Sequence, residues 1–308
     1  MSKSKSYANN LKEYPVWFKD RLFEKRCVDI KFYSAGPQYG INVFEGILSV
    51  NIKNKNYLFR LDDHIERLER SSKNLSIVPD IDFKDIKERV INYIKLINPS
   101  HDCNVRVSIF PKEGSWSTEI LEGNLLISAF TTTSQLLGNN LNPLKLKISN
   151  IKKTSKLSID QSIKVGANYL NSRYAQLDAI KKGYDSCLLL DDENNITESG
   201  GSNIFFIKDE KLYTPPTTQN ILNGITRDSI IRLAKYNDIE VCESKIKSRD
   251  IINYQSAFLC GTAMRTKAIK KIDNKIFNLD NELMKKITEL YSSILVTPSI
   301  EFGWHTEV

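Results

Sequence analysis

Residues 162–185 read SIKVGANYLNSRYAQLDAIKKGYD. Leu170, Tyr174, Leu177 and Ile180 follow one another by four, three and three residues, which predicts a helix with these side chains along its inner side. Lys181, Lys182 and Gly183 supply a basic last turn and a C-cap glycine. Just ahead of the helix, Lys164 stands in an otherwise uncharged stretch. Burial there would disfavour the ammonium and lower its pKa. A neutral amine is the form that makes a Schiff base with an aldehyde. Taken alone, Lys164 reads first as one more solvated surface lysine among many.

Working toward the C-terminus, SCLLLD (186–191) and NIFFIKDEKLYTP (203–215) are strand-like, the second a hairpin turning at Asp209–Glu210. Gly224-Ile225-Thr226 opens a helix whose inner face carries Ile230, Ile231 and Ala234. A last helix follows Asp280 with Leu283, Ile287, Leu290 and Ile294. Toward the N-terminus, PVWFKD, GILSVNI and NYLFRL are β-like, with VNIKNKN as a hairpin turn. Asp62 or Asp63 would cap a helix bearing Ile65, Leu68 and Leu75. Phe83, Ile86, Val90, Ile94 and Ile97 mark a second helix, broken by Pro99. NVRVSIF (104–110) alternates, so Val105, Val107 and Ile109 face one way and Arg106 and Ser108 the other; NLLISAF is a further strand. The sum is an α+β protein with two domains, residues 1–134 and 143–308, joined by a linker at 135–142 where turn formers gather in TTTSQLLGNNLN.

Three further strings could carry chemistry. Glu198 lies in NNITESGGSNIF (194–205). A carboxylate there can cap a helix, close a turn, or keep a pyridinium nitrogen protonated. Gly200 and Gly201 are turn glycines that also permit a ligand to come close. LNGITRD (222–228) is an ordinary N-cap or an anion site made of helix N–H groups and the Thr226 hydroxyl. LCGTAMR (259–265) could add two N–H groups and a hydroxyl at Gly261-Thr262-Ala263.

Composition narrows the class. Of 308 residues, 41% are hydrophobic and 26% charged, which predicts a folded globular chain. The absence of a long apolar run argues against a membrane span, and MSKSKSYANN lacks the apolar core of a secretory signal. Five scattered cysteines without a CxxC pair fit reduced thiols and a cytoplasmic location. Three histidines without ligand spacing predict no metal site. The net charge of +7 is spread among acids, as in KKIDNK, so a nucleic-acid surface is not expected.

The strings occur in an order that carries more than any one of them: the lysine, Tyr169, Glu198, GIT, GTA. Together with QYGINVFEGI (38–47), LFRLDDHIERLERS (58–71) and LYTPP (212–216), they resemble the fold-type IV pyridoxal-phosphate enzymes, most closely the branched-chain amino acid aminotransferases. The resemblance runs from about Pro15 to the end of the chain. It implies a small N-terminal α/β domain, a larger C-terminal pseudo-barrel domain and pyridoxal 5'-phosphate in the interdomain cleft. It also implies a homodimer or higher homo-oligomer that acts on a small amino acid and a 2-oxo acid.

Carried over by position, Lys164 would be the catalytic residue, holding the cofactor and shuttling the proton. Tyr169 would bond the cofactor's phenolic oxygen, and Glu198 its ring nitrogen. Arg60 would bind the phosphate with Ile225, Thr226 and Thr262, in the segment that includes Leu222 and Gly224. Phe44 and the partner subunit's Tyr39 would line the substrate pocket. Thr262 and Ala263 would meet the α-carboxylate, and Arg106 an acidic co-substrate. Three departures make the implied pocket more polar or more open than one built for leucine: Asn104 where the family usually has an aromatic, no evident linker aromatic in TTTSQLLG, and Arg265 after GTAM. The leading expectation is therefore a transaminase for a branched-chain-like or more polar amino donor, working through glutamate and 2-oxoglutarate. Alternatives within the fold are a D-amino acid transaminase or an aminodeoxychorismate lyase, which tend to carry R-G on the strand where this chain has NVRVS. A non-catalytic pyridoxal-phosphate binder is disfavoured by the joint presence of Lys164 and Glu198.

Overall fold

Strand alternation and helical periodicity resolve into two units in the computed structural model, which describes residues 14–24, 30–131 and 142–308. The expected linker falls almost wholly outside the described residues. One unit comprises residues 1–141 with 296–308, the other residues 142–295. The second domain expected from the sequence extends to residue 308. The tail strand His305–Glu307 instead pairs with Tyr57–Phe59 in the first unit, because its backbone groups complete an open sheet edge there.

The first unit is an eight-stranded sheet with helices. Its strands are β1 (Val16–Phe18), β2 (Arg21–Phe23), β3 (Val43–Ile52), β4 (Lys55–Phe59), β5 (Ile77–Pro79), β6 (Cys103–Pro111), β7 (Leu121–Thr131) and the tail strand. Its helices are α1 (Ala35–Tyr39), α2 (Leu61–Asn74) and α3 (Phe83–Ile97). β3 and β4 form the expected hairpin, with Lys53 and Asn54 both at positive φ, the conformation a tight two-residue turn requires. β6 behaves as its alternation predicts: Val105, Val107 and Ile109 enter the core, while Asn104, Arg106 and Ser108 face the other side. Neither Asp62 nor Asp63 caps α2. The N-cap is Arg60, in the left-handed conformation at φ 53°, and the two aspartates fall in the first helical turn, where they favour the positive end of the helix dipole.

VFEGI and HIER are explained by one buried cluster. Glu45, on the core side of β3, accepts Arg67 Nε at 2.6 Å and Arg67 Nη2 at 2.7 Å, and lies 2.7 Å from His64 Nδ1. His64 and Arg67 are three apart on α2, hence on one helix face. They pin that face to the strand, with Glu45 and His64 wholly buried. Burial by itself would raise the Glu45 pKa. Arg67 and His64 overcome it and hold the carboxyl far below the usual carboxylate range.

The second unit is a nine-stranded sheet. Its strands are β8 (Leu144–Ile148), β9 (Ser186–Leu190), β10 (Ile196–Ser199), β11 (Asn203–Lys208), β12 (Lys211–Thr214), β13 (Val241–Glu243), β14 (Ser256–Gly261), β15 (Arg265–Ile272) and β16 (Lys275–Ile276). The helices are α4 (Tyr169–Lys181), α5 (Ile225–Tyr236) and α6 (Glu282–Val296). The hairpin at Asp209–Glu210 is present, both residues at positive φ. α5 buries Ile230, Ile231 and Ala234 as predicted. α4 does not: its buried residues are Ser172, Ala175 and Ala179, and Leu170, Tyr174 and Ile180 are exposed. Small side chains let this helix lie close on β9, where Ala175 and Ala179 pack with Cys187 and Leu189. The spacing of the large apolar residues is helical, but it marks the wrong side.

Candidate active site

The loop that delivers Lys164 is long, and two buried asparagines hold it. Asn220 Nδ2 donates to the carbonyls of Thr154 and Ile159, and its Oδ1 accepts Gln161 N–H at 3.0 Å. Asn168 Nδ2 donates to the carbonyls of Asp160 and Ile163. Val165, buried, anchors the segment. A single 3-10 turn, Gly166–Asn168, then leads into α4. This turn brings position 169 back to 164: Lys164 Nζ lies 3.0 Å from Tyr169 Oη. Lys164 is half-buried, so its removal from water is only partial.

Glu198 sits on β10, all four of whose residues are buried. β10 pairs with β9 through a register shift between Ile196 and Ser199, and such an irregularity re-aims the side chains it contains. Oε1 lies 2.5 Å from Lys153 Nζ, and both side chains are under a tenth exposed. Oε2 accepts Asn203 Nδ2 and Leu222 N–H, each at 3.3 Å. Asn203 Nδ2 also donates to the Leu222 carbonyl at 3.1 Å. Gly224 follows from this arrangement: a Cβ there would lie 2.0 Å from Asn203 Oδ1.

The glycines draw the remaining strings together. A Cβ on Gly201 would meet the Tyr169 ring at 4.0 Å, and one on Gly200 would touch Ser172 of α4 at 3.6 Å. A Cβ on Gly261 would lie 3.5 Å from Ser202 Oγ, which places the Thr262–Ala263 turn beside the Gly200–Gly201 turn. α5 begins at Gly224 with Ile225 and Thr226 buried in its first turn, and Tyr291 Oη lies 3.5 Å from Thr226 Oγ1. First-turn N–H groups have no intrahelical acceptor, so this helix end suits an anion such as a phosphate. Lys164, Tyr169, Glu198, Leu222, Gly224, Ile225, Thr226, Thr262 and Ala263 all belong to the second unit.

The first unit holds the other predicted residues. Arg60 is buried; Asp63 accepts its Nε at 2.9 Å and its Nη2 at 2.7 Å. Its guanidinium lies 5.0 Å from the Trp304 ring, and the Arg60 backbone N–H donates to the Trp304 carbonyl at 2.6 Å. The side chain is thereby oriented before any ligand arrives. Phe44 is buried beneath the Arg106 guanidinium, 4.2 Å from its ring centroid. Tyr39 is exposed at the end of α1. The supporting roles of Lys153, Asn203, Asp63 and Trp304 are not foreseen from the sequence. Asp63 and Asn203 are local, three residues from Arg60 and five from Glu198; Lys153 and Trp304 are joined to their partners by chain closure. Among the described residues no group of histidine, cysteine, aspartate and glutamate could hold a metal ion, and no helix is long and apolar enough to cross a membrane.

This geometry has counterparts. The profile described as amino-transferase class IV matches residues 42–272. A branched-chain-amino-acid aminotransferase of Escherichia coli (strain K12) is 28% identical over 262 residues, covering 84% of each chain. A crystal structure of a branched-chain aminotransferase from Thermoproteus uzoniensis with norvaline superposes with a TM-score of 0.89 at 26% identity, over 96% of this chain and 99% of that one. The branched-chain amino acid aminotransferase from Thermobaculum terrenum in its PLP-form gives 0.87, at 26% identity and over 96% and 98% of the two chains.

Proposed function

The chain belongs to the amino-transferase class IV family, and from that premise we propose the residues with which it moves an amino group between an amino acid and a 2-oxo acid. The supporting observation is the Lys164 amine held 3.0 Å from the Tyr169 phenol at the mouth of one turn. In this reading pyridoxal 5'-phosphate is the cofactor, and the donor set fits it. A lysine amine can take its aldehyde, a buried carboxylate its ring nitrogen, and a helix N-terminus with a hydroxyl its phosphate.

When bound, the cofactor supplies an electron sink for the negative charge left at the substrate Cα. Lys164 Nζ would take the proton from the substrate Cα and carry it while the cofactor holds the charge, and the Tyr169 hydroxyl, 3.0 Å away, would orient the amine. The Glu198 carboxylate, held by Lys153, Asn203 and the Leu222 N–H, presents its negative charge to the ring nitrogen. Thr226, Ile225 and Thr262 of the second unit would hold the phosphate; Arg60 of the first unit, oriented by Asp63 and Trp304, offers a preset guanidinium to an anion. Thr262 and Ala263 take the substrate α-carboxylate. Phe44 and Arg106 select among side chains, branched-chain-like or more polar.

We further propose that the chain works as a homodimer, with the partner subunit's Tyr39 lining the pocket; light scattering of the purified protein tests this. The test of the main reading is a panel of amino donors and 2-oxo acids on protein purified with pyridoxal 5'-phosphate, with each oxo product identified by mass. Borohydride should fix the cofactor to the peptide holding Lys164. Fixation at any other lysine refutes the assignment, and failure to form an oxo acid from any donor refutes the activity.

A further inference from the structure

Asn104 is an anomaly within the first unit. It is 3% exposed, and neither its Nδ2 nor its Oδ1 has a hydrogen-bond partner. Buried amides are nearly always paired, since each unmet donor or acceptor has given up water for nothing. A leucine would fill the same volume without that penalty. The residue also faces the side of the sheet that carries Phe44 and Arg106.

The register defines its surroundings. Asn104 is paired with Leu48 on β3 and Phe130 on β7, and Arg106 with Gly46. Residues two apart on a strand share a face, so Asn104, Arg106 and Ser108 stand in line opposite Leu48, Gly46 and Phe44. A Cβ on Gly46 would meet nothing within 4 Å. There is open space across from Arg106, and the guanidinium leans over Phe44, 4.2 Å from its centroid. A cation and an aromatic ring border that space, and Asn104 stands at the diagonal position on the same sheet face.

We propose that Asn104 determines specificity by receiving a primary carboxamide at the end of a substrate side chain. A carboxamide brings an acceptor for Nδ2 and a donor for Oδ1 side by side. A carboxylate could meet Arg106 and Nδ2, but it has no proton for Oδ1. An aliphatic side chain meets neither atom and leaves both unpaired. The proposal deepens the transaminase reading and rests on it.

Asparagine and leucine are near-isosteric donors that differ in this group, as are succinamic acid and 4-methylvaleric acid as non-reacting ligands. The experiment measures kcat/KM for both donors, and calorimetric dissociation constants for both acids, with wild-type holoenzyme, N104L and N104A. We expect wild type to favour asparagine and succinamic acid. The amide-to-aliphatic ratio should fall about ten- to a hundredfold in both variants, the range a lost buried pairing produces. Since only ratios are compared, a general loss of activity in a variant cancels. A ratio within twofold of wild type in both variants, or a wild-type preference for leucine, overturns the proposal. Turnover of leucine without preference for asparagine defeats this inference alone. Absence of any oxo product from any donor defeats the transaminase reading as well.

Discussion

Lys153→Met should destabilise the second unit more than almost any other single change. Methionine keeps an unbranched stem and removes the charge, so the perturbation isolates the pairing with Glu198. The pair is 2.5 Å apart, with side chains 4% and 8% exposed, so neither water nor salt screens it. The remaining partners of Glu198, Asn203 and the Leu222 N–H, are long at 3.3 Å and cannot replace a cation. Breaking a buried pair from one side costs about 3–5 kcal/mol, because the other charge is stranded. For a unit of this size that is a fall in Tm of roughly 6–20 °C, at about 2–4 °C per kcal/mol. Calorimetric melting of the apoprotein reads it directly. Glu198→Gln should also destabilise, by stranding Lys153. The double variant should be more stable than either single one, because no charge is left alone. A loss below about 1 kcal/mol in Lys153→Met, or a double variant as unstable as the two losses summed, would refute the view that these groups form a sealed pair.

Arg60→Ala should weaken cofactor retention by about 10- to 150-fold, the worth of a charge-assisted phosphate contact, measured as residual cofactor after dialysis. Gly224→Ala puts a Cβ 2.0 Å from Asn203 Oδ1. It should cost about 1–3 kcal/mol by overpacking and loosen the Asn203 hold on Glu198, visible as a lower Tm together with poorer cofactor retention. The depressed Glu45 pKa implies stability that is fully present above about pH 4.3, the unfolded value, and is lost as the pH falls toward the lower folded value. Glu45→Gln should flatten that acid limb in denaturation curves from about pH 2 to 6, and an unchanged slope would assign the limb to other groups. Burial raises the thiol pKa of Cys103 and of Cys260, each to about 12. Site-resolved alkylation of the native protein at about pH 8 should therefore reach Cys242, which is partly exposed, well before either.

Much of the candidate site can be read from the chain because its parts are local. The turn between Lys164 and Tyr169 is five residues of sequence, and the N-terminus of α5 is announced by Gly224-Ile225-Thr226. The alternation on β6 places Arg106 opposite Val105 and Val107 without any partner strand being known. Periodicity of this kind reflects a residue's own backbone geometry, and it survives being read alone.

What tertiary structure alone decided concerns groups that meet across long stretches of chain, or faces chosen by packing. Lys153 and Glu198 are 45 residues apart, and no spacing links them. Arg60 became an N-cap stacked on Trp304 only because the tail strand closes the sheet edge beside it. α4 turned its small residues inward because β9 admits a helix only at close approach, a preference absent from the helix's own sequence. Asn104 is visible in the sequence as a polar residue in an unexpected position. That both its amide atoms are buried and unpaired depends on every neighbour's placement, which sequence fixes only through the completed fold.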